Sequence, residues 1–257
     1  MREVSLKFPD KQHGIIGILD ALGAANYSDK EIKRFIQSQP IVIKLLKEKS
    51  KRVAVRLDVN KVTTFTFNDT VLIVLKSDFL KPSPDEIIAF LEVLRKFLVD
   101  SFVNNILFRG AFAVGSFYQN EDTNTILGEA VTDAATWYNK ADWIGIISTP
   151  LTSVYIDYLM EKHQESLKLK HLILNYDVPM SNGEAKNLKT VNWPKVFWVD
   201  GITPCQPNES KRETLLKLLS KYNMPEGTEQ KYYHAIQYFD HIMKKLKLEN
   251  RPTKIST

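Results

Sequence analysis

One cysteine, Cys205, stands in 257 residues. That rules out an internal disulfide and a multi-cysteine zinc centre, and a reducing compartment is the simplest expectation. The histidines, His13, His163, His171, His234 and His241, have no metal-ligand spacing and none lies near Cys205 in sequence, which argues against a histidine metal site and against thiol catalysis. Neither a P-loop nor a G-x-G-x-x-G run is present. No apolar run approaches the length of a membrane span, and the opening "MREVSLKFPDKQHG" lacks the charged-then-apolar pattern of a secretory signal. A cytoplasmic protein with no membrane partner is expected. Internal repeats, low-complexity tracts and Gly/Ser/Pro linkers are also missing.

What remains is an ordinary globular composition, 44% hydrophobic and 25% charged, in a chain long enough to bury a real core. The net charge of +5 is compatible with nucleic acid, a membrane surface or a small polyanion such as a nucleoside triphosphate, and equally with a solvated basic surface. The lysine clusters "KLLKEKSKR" (44–52) and "MKKLKLENRPTK" (243–254) have no interleaved aromatics, so nucleic acid is not the expected partner.

Periodicity organises the chain. "HGIIGILDALGAA" (13–25) reads as a buried strand ending in Asp20 and a glycine turn. A helix follows, with Ser28 and Glu31 as a capping box, Ile32, Phe35 and Ile36 on its apolar face, and an interruption at Pro40. Residues 52–77 alternate and are rich in β-branched side chains, predicting strands with a hairpin at Asn68-Asp69. Ser83, Pro84 and Glu86 start a helix over 83–103. Strands are expected over 106–118 and 143–149, with a helix between them from about Gly128. This is an α+β pattern, a ferredoxin-like βαββαβ sandwich, over residues 1–150. Residues 151–257 read as a C-terminal α/β extension packed on it: a helix (154–168), a strand (171–180), a hairpin-like stretch (181–194), then two helices broken around Pro225-Gly227.

Asp69 alone is ordinary turn chemistry, and Asp20 alone could simply end a strand. Together they are two acids at the tips of apolar strands, which converge if those strands are sheet neighbours. Carboxylates brought that close repel unless one is protonated or a cation lies between them. Oxygen ligands without a His/Cys cluster point to Mg²⁺ or Mn²⁺ held jointly with substrate phosphates.

Four stretches in order carry a resemblance to the class III nucleotidyl cyclases. "LDALGA" (19–24) places Asp20 and Gly23 in the family's Asp-x-x-Gly frame, and "FNDT" (67–70) places Asp69 at its hairpin. "RGAFAVG" (109–115) is similar to R-x-G-x-H-x-G in Arg109 and Gly115, with Ala113 at the histidine position. "GEAVTDAATW" (128–137) is similar to G-x-x-V-N-x-A-A-R in Gly128, Val131, Ala134 and Ala135. The resemblance implies the cyclase-type sandwich and two divalent cations, Mg²⁺ or Mn²⁺, on Asp20, Asp69 and the Ala21 carbonyl. It also implies phosphate binding by the backbone of Leu22, Gly23 and Ala24, with Arg109 a further candidate beside the alternative of a surface pair. Conversion of a nucleoside triphosphate to a 3′,5′-cyclic monophosphate and pyrophosphate, in a homodimer with sites at its interface, would follow. Trp137 and Trp143 would line that interface or lie in the core.

Departures from the pattern are equally specific. Thr132 and Thr136 replace the helix Asn and Arg, and loss of one such donor costs about 10²–10³ in rate. Phe65 and Thr125 replace the polar pair that reads a purine. The combination resembles the divergent bacterial pyrimidine cyclases of Pycsar anti-phage systems, implying cyclic UMP or cyclic CMP, UTP ahead of CTP, and a downstream cyclic-nucleotide effector. The alternative is a catalytically silent cyclase-fold domain that binds a nucleotide or a partner protein.

Overall fold

The computed structural model describes residues 9–24, 28–37 except 31 and 34, 61–104, 106–120, 123–162, 168–196, 209–221, 224 and 226–249. The expectations for Glu31, Pro40, the first part of the 52–77 strands, His163, Cys205, Pro225 and the lysine cluster at 44–52 lie outside those residues.

The apolar run at the start forms β1 (Lys11–Ala21), and the two β-branched segments form β2 (Val62–Phe67) and β3 (Thr70–Ser77) around a two-residue turn. Asn68 takes a φ of 54° there, a left-handed conformation that asparagine tolerates. Helix α1 (Pro84–Val103) begins at the expected capping box: the Ser83 hydroxyl accepts from the Glu86 amide, and the Glu86 carboxylate accepts from the Ser83 amide. The same carboxylate accepts from the Ser77 hydroxyl at 2.9 Å, fastening the end of β3 to the start of α1. Strand β4 (Phe108–Asn120) follows, then β5 (Thr125–Leu127), α2 (Glu129–Trp137) and β6 (Gly145–Ser148). In the helical residues among 29–37, only Phe35 of the expected apolar face is buried, tilted against Phe108; Ile32 and Ile36 are exposed.

Strands β2, β3, β1 and β4 lie side by side in that order, each antiparallel to its neighbour, which is the ferredoxin-like arrangement. The fold is α+β. Strand β6 joins β4 in parallel, and the sheet runs on through β8 (Ala185–Val191) to β7 (Ile173–Pro179). Residues after 150 therefore supply two strands of the same sheet, besides α3 (Pro150–Lys162), α4 (Leu169–Leu172), α5 (Lys211–Leu219) and α6 (Glu229–Glu249).

The sheet's two faces are unequal. On one, α1 packs Phe90, Leu94 and Phe97 against Ile15, Leu19 and Phe112 in a core that continues to Trp143, Trp193 and the Tyr238 side chain of α6. On the other, α2 lays Ala130 and Ala134 over Ile16, Ile18, Val74, Ala113 and Phe117. No described helix is long and apolar enough to cross a membrane.

Candidate functional site

Strand register builds the site. Asp20 is paired with Thr70 of β3 on one side and Arg109 of β4 on the other, so the three side chains form a row on the α2 face. The Ala21 amide donates to the Asp69 carbonyl at 3.0 Å, which holds the hairpin tip against the end of β1. Asp20 and Asp69 are thus brought together from positions far apart in the sequence.

The electrostatics follow from that placement. Burial pushes the Asp20 carboxyl above the ordinary carboxylate value, and the Asp69 charge pushes it further the same way. Arg109 opposes both through its charge and through Nε and Nη2, each donating to Oδ2 of Asp20 at 3.4 Å; the Thr70 hydroxyl, 3.5 Å from Oδ1, adds a smaller opposing effect. The remaining Nη1 of Arg109 donates to the Asn139 carbonyl at 3.2 Å. Arg109 therefore closes a pair with the first carboxylate, and its side chain is only 19% exposed.

The turn after β1 is shaped for close backbone approach. Gly23 has φ 75°, a conformation that disfavours any side chain. The Leu22 amide donates to the Leu107 carbonyl at 2.8 Å, so of the three amides expected to face phosphate this one is already engaged.

The remaining expected residues are more scattered. Phe65 is buried in the smaller core with Ile18 and Val74. Thr125 is exposed at the start of β5, its hydroxyl bonded within the 123–125 turn. Thr132 and Thr136 lie on the exposed side of α2, and the Thr136 hydroxyl donates back to the Thr132 carbonyl at 2.8 Å. Trp143 is fully buried and stacked on Tyr176, whereas Trp137 is partly exposed.

One feature has no signal in the sequence beyond its lysines. Lys140 lies 4.4 Å and Lys186 5.6 Å from the Trp137 ring centroid, both as cation–π contacts. Trp137 ends α2, Lys140 follows in the turn whose Asn139 carbonyl holds Arg109, and Lys186 arrives from β8. A basic, aromatic platform therefore stands on the far side of Arg109 from the carboxylates.

Among the described residues no group of three or more His, Cys, Asp and Glu side chains could hold a metal ion. Two carboxylates and backbone carbonyls are an oxygen-only donor set, too few for an all-protein cage. They fit a hard divalent cation whose remaining ligands are phosphate oxygens and water.

No protein-family model matches the chain, and no curated protein does. Among the solved structures similar to it are two cyclases. One is the adenylyl cyclase CyaB from P. aeruginosa, 11% identical with a TM-score of 0.44, the match covering 72% of this chain and 96% of that one. The other is the guanylyl cyclase Cya2, 10% identical with a TM-score of 0.43, covering 72% of this chain and 93% of that one. Identity at this level leaves the roles of Asp20, Asp69 and Arg109 to their own geometry.

Proposed function

We propose that this protein is a nucleotidyl cyclase that converts a pyrimidine ribonucleoside triphosphate, UTP ahead of CTP, to its 3′,5′-cyclic monophosphate with release of pyrophosphate. The observation that carries the reading is the meeting of Asp20 and Asp69 at one end of the sheet's strands, with repulsion between them that a bound cation would remove. In the reaction the ribose 3′-hydroxyl oxygen bonds to the α-phosphorus, the bond from that phosphorus to the α,β-bridging oxygen breaks, pyrophosphate leaves with the electron pair, and the hydroxyl proton passes to water. Mg²⁺ or Mn²⁺, two ions in the full arrangement, would be held by Asp20, Asp69 and the Ala21 carbonyl, neutralising phosphate charge and acidifying the hydroxyl.

The chain's own groups have narrower tasks. Arg109 keeps Asp20 available as an anion against the burial that favours its protonated form. Gly23 and Ala24 would offer backbone amides to an anion at the turn after β1, which the positive φ of Gly23 shapes. Lys140 and Lys186 supply positive charge beyond Arg109 for the rest of the triphosphate. A buried Phe65 stands where the resemblance would place a purine-reading lysine, so that contact to a purine is missing. The family resemblance extends it to a homodimer whose partner completes each site, and to a messenger for a downstream effector in anti-phage defence.

A second reading has its own observation. The Thr136 hydroxyl is turned back onto its helix, and neither Thr132 nor Thr136 carries charge; on this reading the protein binds nucleotide as a catalytically silent cyclase-fold domain. The experiment is incubation with each of the four ribonucleoside triphosphates and Mn²⁺, chromatography for cyclic products, and Asp69→Asn as control. A cyclic pyrimidine from wild type alone supports the enzyme. No product, with saturable nucleotide binding by calorimetry, supports the silent domain and refutes catalysis.

A further inference from the structure

A cavity of 520 Å³ opens at the opposite end of the sheet from the carboxylates. Lys11 and Asp20 lie nine residues apart on β1, which at about 3.3 Å per residue separates the two places by about 30 Å. The floor is β1 at Lys11 and His13 and β4 at Val114 and Ser116; the walls are the segment before α1 and the outer turns of α3. These walls are fixed to each other. The Tyr155 hydroxyl donates to the Pro82 carbonyl at 2.7 Å, and the Val114 amide donates to the Thr152 hydroxyl at 2.9 Å, so the space between α3 and the sheet is built into the fold.

The lining combines two properties. Leu80, Leu151, Val154 and Tyr158 are 77%, 69%, 67% and 53% exposed, yet all four converge on this one cavity, where the Tyr155 and Tyr158 rings lie nearly parallel with centroids 6.4 Å apart. A concentration of exposed apolar side chains around a concavity marks a binding site more than scattered surface leucines do. Two lysines and a histidine stand around it. The Lys81 ammonium lies 5.4 Å from the Tyr155 ring centroid, Lys11 is at the other rim and His13 between them, and among the described residues neither lysine is in an ion pair. Among the described residues that line it the one carboxylate, Glu129, accepts a hydrogen bond from the Ser116 hydroxyl at 2.8 Å.

From this we infer that the cavity binds a small amphipathic anion, an apolar or aromatic body carrying a single acidic head. The body lies against the tyrosines, Leu151 and Val154, and the head is held between Lys11 and Lys81. Volume and lining match a compact ligand rather than a polymer. The proposal is independent of the cyclase reading, because no group in it belongs to the Asp20–Asp69 site.

The test uses the full chain and 1-anilinonaphthalene-8-sulfonate, an aromatic anion whose fluorescence rises in apolar surroundings. Saturable binding of one probe per chain is expected, displaced by octanoate but not by octylamine. Val154→Trp and Leu151→Trp each fill the cavity from an exposed position and should weaken binding at least about tenfold, with an unchanged melting temperature confirming the fold. Lys11→Glu with Lys81→Glu should weaken it by about tenfold, while Asp69→Asn leaves it unchanged. The proposal is overturned by an absence of saturable binding, by equal binding to wild type and both tryptophan variants, or by octylamine competing as well as octanoate.

Discussion

Asp69→Asn isolates the charge at the centre of the site. Asparagine retains the turn chemistry of the hairpin and the backbone carbonyl that accepts from Ala21, so little but the charge changes. Without cations near pH 7, Asp20 is ionised against burial and against the Asp69 charge. Relief of that repulsion amounts to on the order of 1 kcal/mol, the scale for two charges about 4 Å apart when water screens them fully. The variant should therefore be more stable than wild type by up to about that much. The pH dependence has a definite sign. The folded-state pKa of Asp20 lies above its ordinary value of 3.8, so between the two the native state binds more protons and wild-type stability falls as pH rises through that window. The variant's advantage should be full above the window and vanish as pH falls toward 3.8. Urea denaturation in EDTA over a pH series measures this directly. Adding Mn²⁺ should then reverse the order: at a hundred times its dissociation constant a cation adds about 2.7 kcal/mol to wild type, and much less to the variant. A variant that is less stable than wild type at neutral pH in EDTA, or an advantage that grows on acidification, would refute the reasoning and leave Asp69 as a turn residue.

Other consequences can be measured alongside. Arg109→Ala removes the pair to Asp20, whose 3.4 Å contacts are longer than an ideal charge-assisted bond, and should cost about 1–2 kcal/mol in urea at neutral pH, with less loss once Asp20 is protonated. Gly110→Ala would place a methyl group 2.4 Å from the Ile18 carbonyl oxygen and 2.6 Å from Leu19 Cδ2, an overpacking worth about 1–3 kcal/mol and a fall of several degrees in Tm by circular dichroism. Thr132→Asn with Thr136→Arg adds donors on an exposed helix face without steric conflict; if catalysis is limited by their loss, turnover of UTP should rise at least about tenfold in the product assay. Tyr238→Phe deletes a buried hydroxyl bonded to the Thr190 hydroxyl at 2.9 Å and the Val191 carbonyl at 3.2 Å, and should cost about 1–2 kcal/mol in chemical denaturation.

Local signals made part of this molecule legible and long-range register decided the rest. Ser83, Pro84 and Glu86 start α1 because capping is a matter of three neighbouring residues, and Asn68 shapes the hairpin because its left-handed conformation is set by its own side chain. The attachment of β8 to β6 is a single registered pair, Ile147 with Thr190, which leaves no periodicity to read. Phe65 is buried because the small side chains of Ala130 and Ala134 let α2 sit close to the sheet, a fact about a helix more than sixty residues away. Lys186 reaches Trp137 for the same kind of reason, through a hairpin that returns to the sheet.

Register also explains why an arginine and a glycine stand next to each other in β4. Asp20 and Arg109 face α2, so Leu19 and Gly110, one residue away on each strand, must face α1. There Leu19 leans over β4, and any side chain at position 110 would strike it and the Ile18 carbonyl. A one-residue slip of β1 against β4 would turn Asp20 into the core under α1 and Leu19 toward the site, burying a charge and exposing an apolar side chain at once. Gly110 thus permits the close pairing that sets Arg109 beside Asp20. The pair of residues that resembles a catalytic signature is, at the level of packing, a single device for holding two carboxylates at the end of one strand and the tip of the next hairpin.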